Sequence, residues 1–209
     1  MFRRGYATVT CRAVLGYRRE MPAVAALCGI VLAAGAGRRF GGPKALAREP
    51  DGTAWLTLAV RMLRAAGCAD VLVVLGAGAD EARALVPDDA AVVVAEDWRD
   101  GLGASLRAGL AAASALPWDG LLLAPVDTPA APAEAALRVV AAGRGRPEAL
   151  VRAVYAGAPG HPVLIGRDHA RPLAAALSGD AGAGAYLRAH GAVPVECGDL
   201  WSGADVDTR

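Results

Sequence analysis

From about residue 30 onward the chain alternates unbroken apolar runs with stretches of helical spacing, and this narrows its possible folds more than any other feature. Val71–Leu75 and Gly120–Ala124 carry no polar residue at alternate positions, so neither offers a face to water. Strands of that kind are buried on both sides, as in parallel sheets covered by helices. Trp55, Leu58/Ala59, Met62 and Ala66 recur at helical spacing, and Leu102, Leu106 and Leu110 form an i, i+4 stripe. Ile30–Leu32, Ala91–Ala95, Ala149–Tyr155 and Pro162–Ile165 read as further strands, and Ala79–Val86 and Pro132–Ala142 as helices. Strand and helix in turn predict an α/β fold with three layers, α/β/α, around a mostly parallel sheet. No internal repeat is present. The Ala/Gly-rich patch at 174–185 looks low in complexity, but Leu173, Leu177, Tyr186 and Leu187 keep it in the packed domain.

At 209 residues the chain is long enough for one domain with a sizeable core. Lys and Arg total 22 against 21 Asp and Glu, a net charge of +1. That balance argues against a nucleic-acid partner, which calls for a basic excess. The mean hydropathy of +0.34 would suit a membrane protein, but it stems from 50 alanines, which add little drive for insertion. Cys11, Cys28, Cys68 and Cys197 form no C-x-x-C pair, which argues against a zinc module or disulfide scaffold and favours a reducing compartment. Residues 1–20 hold five arginines and no acid until Glu20, like a transit peptide, and are expected to be a disordered extension. The uncharged run 21–37 mimics a signal peptide, yet it is short and carries Pro22, Gly29, Gly35 and Gly37. It reads as a buried strand and its loop, which leaves 21–209 as a single cytoplasmic domain with no membrane partner.

The segment Leu32-Ala33-Ala34-Gly35-Ala36-Gly37-Arg38-Arg39-Phe40-Gly41-Gly42-Pro43-Lys44 carries the most chemistry. Small residues directly after a strand let backbone N–H groups close on an anion, while Arg and Lys supply charge. It is neither of the familiar phosphate loops. Gly35-Ala-Gly37 is followed three residues on by Phe40 rather than Gly, and Lys44 precedes Ala45 rather than Ser or Thr.

The same string resembles the L-A-A-G-x-x-x-R-x-G-x-x-K signature of the MobA-like nucleotidyltransferases, which include the molybdenum cofactor cytidylyl- and guanylyltransferases. Further matches come in the family's order: Gly101-Leu-Gly-Ala-Ser105-Leu, Asp127-Thr-Pro129, Gly160-His161-Pro162-Val, Gly179-Asp180-Ala-Gly182-Ala and Asp205-Val-Asp207-Thr208. The resemblance covers about residues 24–208 and implies a Rossmann-like nucleotidyltransferase fold. It also implies transfer of NMP from an NTP to a phosphorylated acceptor, with release of pyrophosphate. Ala34, giving L-A-A-G, leans towards CTP over GTP, and the acceptor the resemblance implies is the molybdenum cofactor, molybdopterin. A molybdoenzyme or a cofactor-insertion chaperone would then be the protein partner. Two rivals are transfer to a sugar or other phosphate, and a nucleotide-binding accessory protein that has lost turnover.

Such a reaction needs no strong base, because a phosphate nucleophile is already largely anionic at neutral pH. What it needs is charge neutralisation by cations and a metal. Lys44 and Arg39 are the candidates for the triphosphate, with Leu32, Ala33, Ala34, Gly35 and Gly37 as the cradle. Asp127, just past an apolar strand, suits Mg²⁺, which takes one or two carboxylates plus phosphates and water. The resemblance implies Asp205 as the second metal ligand, with Asp207 as runner-up. Ser105 either caps its helix or touches the nucleotide. His161 and Asp180 belong by resemblance to the acceptor side, against plain structural roles as a buried histidine and a turn-former. Two departures stand out. Ala95-Glu96 replaces the Asn-Pro common in cytidylyl enzymes, and relatives run on past D-T-P, so Asp205 is expected to be less firmly held.

Overall fold

The computed structural model describes residues 26–143 and 146–208. The expected extension 1–20 lies outside them. Strands and helices alternate as β1 (Leu27–Ala33), α1 (Trp55–Ala65), β2 (Cys68–Leu75), α2 (Ala79–Arg83), β3 (Ala91–Val94), α3 (Leu102–Ala113), β4 (Gly120–Pro125), α4 (Ala133–Gly143), β5 (Leu150–Tyr155), β6 (Ala158–Gly166), α5 (Arg167–Ala176), α6 (Gly184–Ala189) and β7 (Val193–Glu196). Within the run that mimics a signal peptide, Leu27–Ala33 is β1, an interior strand of the sheet.

Seven strands form one sheet in the order β3-β2-β1-β4-β6-β5-β7. β3, β2, β1 and β4 are mutually parallel, β5 pairs parallel with β7, and β6 runs against both its neighbours. The reversal has a local cause. Only Ala156 and Gly157 separate β5 from β6, and both have positive φ, 50° and 78°. A two-residue loop with left-handed backbone at both positions matches the twist of a hairpin, and a hairpin is antiparallel. Glu196 on β7 ties the turn down, accepting the N–H groups of Ala156 at 3.1 Å and Gly157 at 3.2 Å.

Successive residues of a strand face opposite sides, so each central strand feeds two cores. On one side Val31, Val73, Leu122 and Val151 meet Trp55, Leu56 and Leu63 of α1 and Val139 of α4. On the other, Ile30, Val74, Leu121 and Ile165 meet Leu106 and Leu110 of α3, Leu173 of α5 and Leu187 of α6. With few aromatics, alanine lets the layers approach closely: Ala59, Ala113, Ala135 and Ala136 are all buried. The patch at 174–185 does belong to the domain, since Leu173, Leu177, Tyr186 and Leu187 are all buried.

β1 pairs with β2 on one side and β4 on the other, so connections leave it in both directions. In open α/β sheets that switch point, at the strands' carboxyl ends, is where ligands bind.

Candidate active site

A cavity of about 860 Å³ opens at this switch point. Its wall is the loop after β1, its far side the first turns of α3, and its floor the ends of β4 and β6. The loop is shaped by Gly37, whose φ of +57° places its carbonyl to accept N–H groups from Gly41 at 2.9 Å and Gly42 at 3.1 Å. A Cβ at Gly37 would fall 1.9 Å from the Gly42 carbonyl oxygen, so no side chain fits. At Gly35 a Cβ would meet nothing within 4 Å, and backbone there is open to a ligand.

Lys44, the chain's only lysine, follows Pro43 on a short 3-10 turn. Its ammonium donates to Asp127 Oδ2 at 2.9 Å and to Asp207 Oδ1 at 3.0 Å. Burial pulls the Lys44 pKa down, but the bonds to Asp127 and Asp207 outweigh it and the net shift is upward. The Lys44 hydrogen bond, helped by Arg39, holds Asp207 below the usual carboxylate range. Asp127 stands two residues past β4. The segment 205–207 is pinned beside it, because the Val206 N–H donates to the Asp127 carbonyl at 2.9 Å. Asp205 is thus held by its neighbour's backbone rather than left loose. Asp127, Asp205 and Asp207 each offer an oxygen within 4.8 Å of the others. Three carboxylates at that spacing fit a hard divalent cation.

Most residues singled out in the sequence meet here. Leu32, Ala33, Ala34, Gly35, Gly37, Lys44, Ser105, Asp127, His161 and Asp180 all line the cavity. Ser105 is not a cap: it is the fourth residue of α3, whose N-cap position is Gly101, and it is buried against the cavity. Arg39 is placed differently. Its exposed side chain pairs with Asp207 at 3.0 Å, and its neighbour Arg38 lines the cavity instead. Ala95 is buried and bonds only through its backbone, so its side chain offers no substitute for the amide that asparagine brings to cytidylyl enzymes.

His161 is unusual. Burial, with the nearby Arg152 charge, lowers its pKa to about 4, so the ring is neutral at ordinary pH. Its ring hydrogen-bonds the Leu123 backbone, while Nδ1 is buried with no partner. Arg152 was missed in the sequence because it sits inside an apolar strand without a motif. So was Arg99, which lines the cavity with Trp98, its guanidinium 4.5 Å from that ring's centre.

The MobA-like NTP transferase domain matches residues 29–194. A nicotine blue oxidoreductase of Paenarthrobacter nicotinovorans is 38% identical over 196 residues, covering 86% of this chain and 91% of that protein. The crystal structure of Rv0371c from Mycobacterium tuberculosis H37Rv superposes with a TM-score of 0.75 at 29% identity, over 88% of this chain and 94% of that one. Rv0371c is also known in complex with manganese, with a TM-score of 0.67 at 29% identity over 82% of this chain and 88% of that one. A nucleotidyl transferase from a Methanothermobacter species shares the fold, with a TM-score of 0.69 at 22% identity over 88% of this chain and 92% of that one. The chain belongs to the MobA-like NTP transferase family and has its Rossmann-like nucleotidyltransferase fold.

Proposed function

We propose that the cavity transfers a nucleotidyl group, CMP in preference to GMP, from a Mg²⁺-bound NTP to a phosphorylated acceptor, with the molybdenum cofactor as that acceptor. The observation that carries this reading is the Lys44–Asp127–Asp207 cluster at the mouth of a glycine loop. In the reaction an acceptor phosphate oxygen attacks the α-phosphorus, the bond to the bridging oxygen breaks, and pyrophosphate leaves. The loop 33–37 holds the triphosphate, and Lys44 neutralises charge on it. Asp127 and Asp205 hold the metal, while Asp207 keeps the lysine in place. A bound divalent cation supplies further neutralisation of the phosphates. Ser105 sits where base or ribose would lie. A base catalyst is not required of His161, which stays neutral and faces the acceptor. A molybdoenzyme or its insertion chaperone would take the product.

Pyrophosphate release is to be measured with each NTP and candidate acceptor. Release with CTP and molybdopterin, and a larger thermal shift with CTP than GTP, is expected. Release with a sugar phosphate alone would move the acceptor class, and a larger shift with GTP would reverse the base preference.

The 38% identical relative, a nicotine blue oxidoreductase, favours a second reading, an oxidation–reduction step. Here the loop would hold a nucleotide reductant and the apolar floor a planar acceptor. Oxidation of a reduced nicotinamide dinucleotide matched by two-electron reduction of an added planar quinonoid dye, catalysed by the pure protein with no pyrophosphate released from any NTP, would select it.

A further inference from the structure

We propose that Arg152 of β5, which lines the cavity, and exposed Arg188 of α6 beside it form an anion subsite at the cavity's edge, built for a phosphate group on the second substrate. The inference rests on the two-substrate transferase reading and adds the chemistry of the second ligand.

The two guanidinium groups converge on the start of α6. Arg188 Nη1 lies 3.7 Å, and Arg152 Nη1 3.9 Å, from the point a Cβ would occupy at Gly184. Gly184 lines the cavity, as does Arg152. Among the described residues neither guanidinium has a carboxylate within ion-pairing distance. Arg152 is oriented instead through its Nε, which donates to the Gly160 carbonyl at 3.2 Å and leaves its outer nitrogens free for the cavity. Two like charges held together with no counterion are costly, and the cost shows in Arg152, whose pKa is lowered by burial and by Arg188. An anion between them would remove that repulsion, and a guanidinium fork matches phosphate geometry.

A second, independent observation lies next to Gly160. His161 lines the cavity, and its Nδ1 is buried behind that lining without a partner. Buried polar atoms rarely go unsatisfied, so an orphan in a cavity wall marks where a ligand donates. The Tyr155 hydroxyl fixes this stretch by donating to the His161 carbonyl at 2.6 Å. Val163 and Leu187 supply apolar walls between the two features. The ligand that fits carries a phosphate, an apolar or planar body, and an N–H or O–H donor for Nδ1. A cavity of about 860 Å³ has room for it beside a nucleotide.

Inorganic phosphate is the probe, titrated by calorimetry at constant ionic strength against four proteins: wild type, Lys44→Ala, and Lys44→Ala combined with Arg188→Gln or with Arg152→Gln/Arg188→Gln. Phosphate binding that survives Lys44→Ala, weakens about threefold with Arg188→Gln and at least tenfold with both substitutions supports the subsite. Binding that the arginine substitutions leave unchanged, or that Lys44→Ala abolishes outright, overturns it. Arg188 is exposed, so its single variant reports even where Arg152→Gln fails to fold. The two readings fail separately. Pyrophosphate release with an acceptor KM untouched by Arg188→Gln keeps the transferase and removes the subsite. Arginine-dependent phosphate binding with no pyrophosphate release keeps the subsite and removes the transferase.

Discussion

At the scale of single residues, one ammonium and three carboxylates meet at the cavity, and the proposed transfer makes each of them testable. Lys44→Ala removes the cation from a loop folded around it, and kcat/KM should fall at least ~100-fold, equivalent to about 3 kcal/mol of lost transition-state stabilisation. Steady-state kinetics and calorimetry with nucleotide read both halves of that loss, and unchanged nucleotide affinity would take Lys44 out of the site. Asp127→Asn and Asp205→Asn keep volume but remove the charge a metal needs. Each should lower kcat by about two orders of magnitude or more, with near-native melting in the absence of ligand. Asp207→Asn should cost about tenfold, since it loosens Lys44 without touching the metal. A reversed ranking of Asp205 and Asp207, measured in parallel, would exchange their roles. Lys44 and Asp127 were legible in the sequence because each follows a strand and lies in a dense motif. The contact of Arg39 with Asp207 was not, because which of two adjacent arginines turns inward depends on the loop's path and not on composition.

Elements were legible where their signal was continuous. β2 and β4 emerge directly from runs without polar interruption, and α1 and α3 from their apolar stripes. The expected helix at Ala79–Val86 stops at Arg83, and the strand expected at Pro162–Ile165 begins four residues earlier, at Ala158. That extension is the hairpin, which the sequence hid. Its turn is Ala-Gly, not the Asn-Gly that normally announces a two-residue loop, and Pro159 and Pro162 argue against a strand. An alanine at φ 50° carries a steric penalty that asparagine largely escapes. Ala156→Asn should therefore stabilise the protein by about 1 kcal/mol, read from urea unfolding at equilibrium. No gain, or a loss, would mean that the Glu196 contacts have already absorbed the strain.

For the whole molecule, the antiparallel β6 joins two sets of strands at one cavity, lined by the glycine loop and β4 on the parallel side and by β5, β6 and α6 on the other. It also places a neutral histidine in the interior, with consequences for stability. His161 titrates near 4 when folded and near 6.5 when free, so acid favours the unfolded chain. Stability should decline as pH falls from about 6.5 towards 4 and then level for this group, by up to about 3 kcal/mol. Asp207, depressed in the native state, adds a further loss below the ordinary carboxylate range, and Lys44, raised, adds one only at strongly alkaline pH. Denaturant midpoints at about pH 7 and about pH 4.5 check the sign, and His161→Asn should flatten the slope between them. A slope that persists in His161→Asn would assign it to the carboxylates. Among the described residues no helix is long and apolar enough to cross a bilayer.

The solitary lysine has a practical consequence. With 21 arginines and a single side-chain amine in the whole sequence, amine-directed chemistry has one internal address, and that address is the carboxylate cluster beside the glycine loop. Acylating reagents and reductive methylation then mark one side chain besides the α-amine, and an isotope-labelled lysine is a single-site probe without engineering. The ammonium is clamped by the same carboxylates that fit a divalent cation. Its acylation rate, or the chemical shift of one methylated nitrogen, is therefore a direct gauge of whether a cation has drawn those carboxylates away.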